Sequence, residues 1–188
     1  WRAHSDAASL VTHEATTLAA LYRDIGDYPE PTRSELRKMA KDYVTHTIDV
    51  AWPVQRQCKV PTGGGATALF RHIAAFNPST PREVAEHQEA MRAFNVFYEA
   101  RRSRIDGVTR GLPSTVWFVV VTSGFVVIAL SWFFAAPALR LHVALTTALS
   151  CVVGLLIFLI AALDKPFCGP MGVDAEPFML VRDQLMKD

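Results

Sequence analysis

The sequence predicts an all-α protein, an integral membrane helical bundle with a cytoplasmic helical domain and a C-terminal transmembrane hairpin. Three observations predict it. Two long apolar runs, at about 113–134 and 141–163, are separated by a short break. Residues 1–112 repeat their apolar positions at helical rather than strand spacing. Four arginines, Arg101, Arg102, Arg104 and Arg110, crowd the approach to the first run while the break carries Arg140 alone.

The first run, from Pro113 through Phe134, contains no charged residue, and the second contains only His142 near its edge. Each exceeds the roughly 20 residues that cross a hydrocarbon core of about 30 Å. Ala135, Ala136, Pro137, Ala138, Leu139 and Arg140 supply a turn with a helix breaker and one cation. The arginine cluster lies within the window over which basic residues set orientation, so residues 1–112 are expected in the cytoplasm, and two spans return the tail, 164–188, to the same side. Trp117 and Trp132 stand near opposite ends of the first span, where indoles anchor at the interface together with Arg101, Arg102, Arg104 and Arg110. The expected location is a bacterial inner membrane, with multiple passes.

Whole-chain composition conceals this division. Nineteen Lys and Arg balance eighteen Asp and Glu over 188 residues, but 15 of those bases and 13 of those acids lie in residues 1–112. Neither part is basic enough to favour a nucleic-acid partner. Cys58, Cys151 and Cys168 have no metal-ligand spacing, and neither a disulfide framework nor a zinc site follows from them. The chain opens on Trp1 rather than Met, without a signal-peptide pattern, and reads as the later part of something longer.

The elements follow in order. A first helix over about 6–25 gathers Leu10, Val11, Glu14, Leu18, Leu21, Tyr22 and Ile25 on one face, with Ser5 or Asp6 as its cap. Pro29 and Pro31 stop it. A second begins near Thr32 or Ser34, carries Leu36, Met39, Ala40, Tyr43, Val44, Thr47, Ile48 and Ala51 inward, and bends or ends at Pro53. Pro61 to Gly65 reads as a flexible linker, followed by a short helix over 66–76. The fourth and longest helix has Thr80 as cap, Pro81 at its first position and Glu83 in its first turn. Val84, Met91, Tyr98 and Ile105 recur every seven residues in it, with Phe94 and Val108 between, as in a helix packed lengthwise on its neighbours. The tail ends in a short helix through Phe178, Leu180, Val181 and Leu185.

Candidate functional residues concentrate in and around the hairpin. Thr146, Ser150 and Gly154 recur every four residues of the second span, and Ser123 and Gly124 are their counterpart on the first. Small side chains at this spacing let helices approach closely, so packing is the leading reading and a polar pore lining the alternative. Asp164 and Lys165, ahead of Pro166 and Phe167, mark the end of the second span. They read as an interfacial helix stop with Lys165 reaching out to the headgroups, or, with Arg140 at the other mouth, as charges at the ends of a pore.

His87, inward beside Glu83 and Glu86, lacks the ligand set of a zinc-protease motif and reads as a hydrogen-bonded, half-buried histidine. His13 with Glu14, His46 with Asp49, and His72 read as surface contacts. The three glycines at 63–65 lack the Lys-Ser/Thr of a phosphate loop. No catalytic grouping, metal site or cofactor is expected.

Asp49-Val50-Ala51-Trp52-Pro53, Arg101-Arg102-Ser103-Arg104-Ile105 with Leu112-Pro113 and Trp117, and Leu163-Asp164-Lys165-Pro166-Phe167-Cys168-Gly169 occur in an order around the hairpin that resembles the bestrophin-like family of bacterial membrane proteins. The resemblance covers most of the chain. It implies further membrane helices before residue 1, in a bundle of about four spans, and kinship with the bestrophin anion channels, which are pentamers with a cytoplasmic helical domain. The Ile-Pro-Phe neck and acidic calcium clasp of those channels are missing from this sequence, so no functional residues carry over. The expected function is an oligomeric ion channel or transport protein, passing small inorganic ions, anions foremost. Thr146 and Ser150, or Thr122 and Ser123, would line its path. The alternative is a non-catalytic accessory or scaffolding subunit of a larger membrane complex. The expected partners are the lipid bilayer and either further copies of the chain or other membrane subunits.

Overall fold

The computed structural model describes residues 2–109, 111–133, 139–170 and 172–187. Arg110 and residues 135–138 of the turn expected at 135–140 lie outside them, and Leu139 and Arg140 of that turn belong to the helix that follows. Every element among the described residues is helical: α1 (Arg2–Ile25), α2 (Thr32–His46), a π-helical turn (Thr47–Ala51), α3 (Trp52–Arg56), α4 (Ala66–Ala74), α5 (Pro81–Thr109), α6 (Ser114–Ser131), α7 (Leu139–Asp164) and α8 (Glu176–Leu185). They form two compact units, a helical domain of Trp1–Thr109 with Pro166–Asp188, and a hairpin of Arg110–Lys165.

In the helical domain α1 and α5 pack along their length, and α2, α4 and α8 close around them. α1 begins at Arg2, so Ser5 and Asp6 sit within its first turns rather than capping it. Its buried face, Val11, Ala15, Leu18, Leu21, Tyr22 and Ile25, follows the three-and-four spacing of the sequence. Pro53 does not end the second helix. Its ring would crowd the carbonyl of Asp49, four residues back, and the wider π turn over Thr47–Ala51 takes up that conflict so that the backbone runs on into α3.

The start of α5 matches expectation. The Glu83 amide donates to Thr80 Oγ1 at 3.1 Å while the Glu83 carboxylate accepts from the Thr80 amide at 3.4 Å and the Ser79 amide at 2.7 Å. This reciprocal cap satisfies donors that the helix cannot. The Ser79 and Thr80 hydrogen bonds hold the Glu83 carboxyl below its ordinary range.

The inward face of α5 departs from expectation. Val84 and Tyr98 are 39% and 43% exposed, and the buried positions are Ala90, Phe94, Phe97, Ala100, Arg104, Gly107 and Val108. The heptad that faces the core is 90, 97 and 104, one residue before the one read from Val84, Met91, Tyr98 and Ile105. That seam carries Ala90, Phe97 and Arg104, and because one is small and one charged, apolar size alone points to the neighbouring seam. Phe94 and Phe97 meet at 5.9 Å between ring centres, Phe97 meets Tyr43 at 5.2 Å, and Phe94 meets Phe70 at 5.2 Å. Burying each such side chain contributes about 1.5–3 kcal/mol.

The tail is part of this core. Phe167, Val173, Ala175, Phe178 and Met186 are buried. Trp52 Nε1 donates to the Val173 carbonyl at 3.1 Å, and its ring lies 5.8 Å from that of Phe178. Arg56 pairs with Asp174, and its carbonyl accepts from the Gly169 amide at 2.9 Å. Cys58 and Cys168 are disulfide-bonded, where no disulfide followed from the cysteine spacing; a sequence separation of 110 conceals the pairing. Cys151 is free.

The hairpin pairs α6 with α7. Each of the two is long and apolar enough to cross a membrane. A Cβ at Gly124 would stand 3.1 Å from Val153 Cγ1 and 3.5 Å from Ile157 Cδ1, so the missing side chain sets how closely the helices pack.

Candidate functional site

The polar centre of the helical domain is built on one carboxylate. Glu14 lies on the apolar face of α1 and is 0% exposed; Arg104, on the inward heptad of α5, is 1% exposed. Arg104 Nε donates to Glu14 Oε2 and its Nη2 to Glu14 Oε1 at 3.2 Å. Tyr43 Oη donates to Glu14 Oε1 at 2.5 Å, and Arg104 Nη1 donates to Gln55 Oε1 at 2.7 Å. The rings of Trp52 and Phe178 lie 5.3 and 5.7 Å from the guanidinium carbon. Helices α1, α2, α3, α5 and α8 thus all meet at one fork.

The chemistry requires this completeness. Two charges out of water are held only when their remaining donors and acceptors are also met. Burial, then the Glu14 carboxylate, push the Tyr43 phenol well above its ordinary range, so it stays a donor. Burial works against the charged Arg104 guanidinium, but Glu14 first and Tyr43 second outweigh it and raise the guanidinium's affinity for its proton.

Beside the fork the Pro61–Gly65 loop laps onto α2 and α5. Gly63, Gly64 and Gly65 have φ of +84°, +97° and +75°, a left-handed run that side chains would strain. Arg101 Nη2 donates to the Gly63 carbonyl at 3.0 Å. The loop expected to be a linker is thus tied to the longest helix. A chamber of about 10 Å³, enough for one water, lies between Tyr43, His46, Thr62, Gly63, Arg101 and Arg104. A wider cleft of about 290 Å³ opens beside it along Met39, Asp42, Tyr43, His46, Gly64 and Ala68.

At the hairpin base, Asp164 ends α7 and turns its carboxylate back toward the entry of α6. It accepts the Leu112 amide and, at 3.2 Å, the Trp117 indole N–H. Lys165 is exposed one residue on, and Arg140 is exposed in the first turn of α7. Thr146 and Ser150 are half-buried, whereas Ser123 and Gly154 are exposed and a Cβ at Gly154 would meet nothing within 4 Å. A four-residue step overshoots one helical turn by ~40°, so the stripe rotates away from α6. Gly124 meets Val153 and Ile157 rather than that stripe.

Among the residues expected as interface anchors, Trp117 is half-buried and bonded to Asp164, Trp132 is 73% exposed, and Arg102 is exposed and 3.9 Å from Asp106. Arg104 is taken inside the helical domain, where its charge is answered by a buried Glu, and Arg101 is half-buried against the Gly63 carbonyl. Glu14, expected at a surface contact, is the buried partner of Arg104. A carboxylate in the middle of an apolar stripe was the signal that could have found it. His46 is half-buried with a buried, unpartnered Nδ1, while His72 does make a surface pair with Glu35 at 2.7 Å. His87 accepts or donates at 2.8 Å to Tyr28 Oη, as a half-buried histidine should. No grouping of three or more metal-ligating side chains occurs among the described residues.

No curated protein and no solved structure matches the chain. A family model for the Bestrophin-like domain matches residues 1–178. That span takes in α1 with Glu14, the Trp52-Pro53 corner, the α6–α7 hairpin and the tail as far as Phe178, so the chain belongs to the Bestrophin-like family.

Proposed function

We propose that this protein is an oligomeric membrane protein that passes small ions, anions foremost, with its helical domain and C-terminus in the cytoplasm. The observation that carries the proposal is a Bestrophin-like chain whose α6–α7 hairpin leaves its apolar faces uncovered. Phe118, Phe125, Phe133 and Phe158 are all more than two-thirds exposed. Such surface calls for lipid and for further membrane helices.

In this reading Thr146 and Ser150, or Thr122 and Ser123, line the path, and Arg140 and Lys165 set the field at its two mouths. Asp164 is the base of the hairpin rather than a free mouth charge, because its oxygens are committed to Leu112 and Trp117. The arginines before α6 support the cytoplasmic placement. The protein carries no catalysis.

A second reading, an accessory subunit that scaffolds a larger membrane complex, is favoured by the half-burial of Thr146 and Ser150 inside the hairpin. Native mass spectrometry from membranes separates the two. A symmetric assembly of this chain supports ion passage; a single copy held by unrelated subunits removes it in favour of the accessory role. Flux across liposomes then tests ion passage itself.

A further inference from the structure

Between α3 and α4 the chain crosses the helical domain as a surface strap, residues 57–65, exposed except for half-buried Pro61 and Gly64. Among the described residues two bonds tie it to the rest of the domain, the Cys58–Cys168 disulfide and the hydrogen bond from Arg101 to the Gly63 carbonyl. The Gln57, Cys58 and Lys59 amides donate backward, to the Val54 and Gln55 carbonyls of α3. Cys58 has φ of +59°, a left-handed conformation that a residue with a Cβ leaves unless something holds it. The disulfide supplies that hold.

The other end of the disulfide is anchored without it. Cys168 follows the buried Phe167, whose ring lies so near Gly107 that a Cβ there would stand 3.0 Å from it. The Gly169 amide donates to the Arg56 carbonyl at 2.9 Å, the Val173 amide to the Pro166 carbonyl at 2.8 Å, and the Trp52 indole to the Val173 carbonyl at 3.1 Å. Breaking the disulfide therefore leaves Cys168 in place and loosens the strap, a weakly held local segment. Cys58 is exposed and Cys168 half-buried, so an incoming thiolate reaches Cys58 first. In a cytoplasm, thiols are kept reduced and the disulfides that form are usually transient.

We propose that Cys58–Cys168 is a redox-reversible latch on this strap, with a low-molecular-weight thiol as its reductant. The inference rests on the cytoplasmic placement of the helical domain. A thiolate attacks Cys58 Sγ, the bond to Cys168 breaks, and Cys168 leaves as a thiolate that takes up a proton. A second thiolate attacks the mixed disulfide and releases Cys58, so two electrons pass to the pair and the reductant departs as its own disulfide. That low-molecular-weight disulfide reverses the exchange. Once reduced, the strap depends on the Arg101–Gly63 hydrogen bond, and its opening lifts Pro61–Gly64 from the chamber they line with Tyr43 and Arg104.

The test uses the whole chain with Cys151→Ser, which removes the free thiol. In cells quenched with acid and alkylated with a polyethylene-glycol maleimide, the pair should be reduced at rest, oxidised after the thiol oxidant diamide and reduced again once diamide is removed. In the purified protein the Gln57, Cys58 and Lys59 amides should exchange about tenfold faster when the pair is reduced, while the Val173 amide keeps its protection. Cys168→Ser should exchange those three amides at the reduced rate with or without reductant. A membrane-impermeant maleimide, applied after dithiothreitol, tests placement separately. Labelling of Cys58 in intact cells overturns the placement and the inference with it. With labelling only after permeabilisation, a pair that stays oxidised at rest or never oxidises overturns the inference alone, as does equal exchange of the three amides in the two states.

Discussion

Glu14 and Arg104 meet where water does not reach, and most of the polar order of the helical domain depends on that pair. Removing one partner leaves the other charged and buried. Glu14→Gln or Arg104→Met should therefore each cost about 3–5 kcal/mol in denaturant unfolding. Exchanging both for apolar residues of similar volume should recover much of that loss, because the desolvation of both charges is then avoided. Equal losses in the single and double variants would contradict this. The tyrosines add a pH dependence. Burial pushes the Tyr28 phenol up to about 12, and Tyr43 is raised too, by burial first and by Glu14 second. Unfolded phenols ionise near pH ~10. The folded chain holds its protons longer, so this stability is complete below that pH and is lost as pH rises through about 12. Ultraviolet titration should show both phenols still protonated at about pH 11; ionisation together with exposed tyrosines would refute it.

At the scale of elements, two ties fix how the chain turns. The Cys58–Cys168 bond closes a loop of 110 residues and fastens the segment after α7 to the end of α3. Reduction, or Cys58→Ser, should lower stability by about 2–4 kcal/mol, read as matching shifts in the denaturant midpoint. A shift on reduction that persists in Cys58→Ser would point elsewhere. Asp164 is the second tie. Asp164→Ala should free the Leu112 amide, and hydrogen exchange there should accelerate while the helical domain remains protected; unchanged exchange would remove the clip. These ties show where the sequence is legible. Periodicity locates every long helix, and the Thr80–Glu83 cap and Pro81 fix the start of α5, because such signals are local. The cysteine pair, the Trp52–Val173 bond and the Glu14–Arg104 fork join residues about ninety or more positions apart, and no local pattern encodes them. The seam of α5 was misplaced by one residue because Ala90 and Arg104, one small and one charged, carry less apolar weight than Val84 and Tyr98.

As a whole, the molecule joins a helical domain built around a buried, fully paired Glu14–Arg104 fork to a hairpin whose outward surface is apolar. The two apolar runs and the arginines before them were plain in the sequence, since a membrane imposes length and charge rules that few soluble segments meet. The function of the small-residue stripe was not, because Thr146 and Ser150 suit a packed seam first and a polar path second, and no local pattern separates the two. Membership of the Bestrophin-like family sets the question that matters most, whether this chain conducts. Purified protein reconstituted into chloride-loaded liposomes, with flux followed after an imposed gradient, addresses it most directly. The account predicts flux above that of empty vesicles, reduced about tenfold by Lys165→Glu or Arg140→Glu, a change of about 1.4 kcal/mol at a mouth, with assembly intact. Assembled protein that passes neither anions nor cations would contradict it.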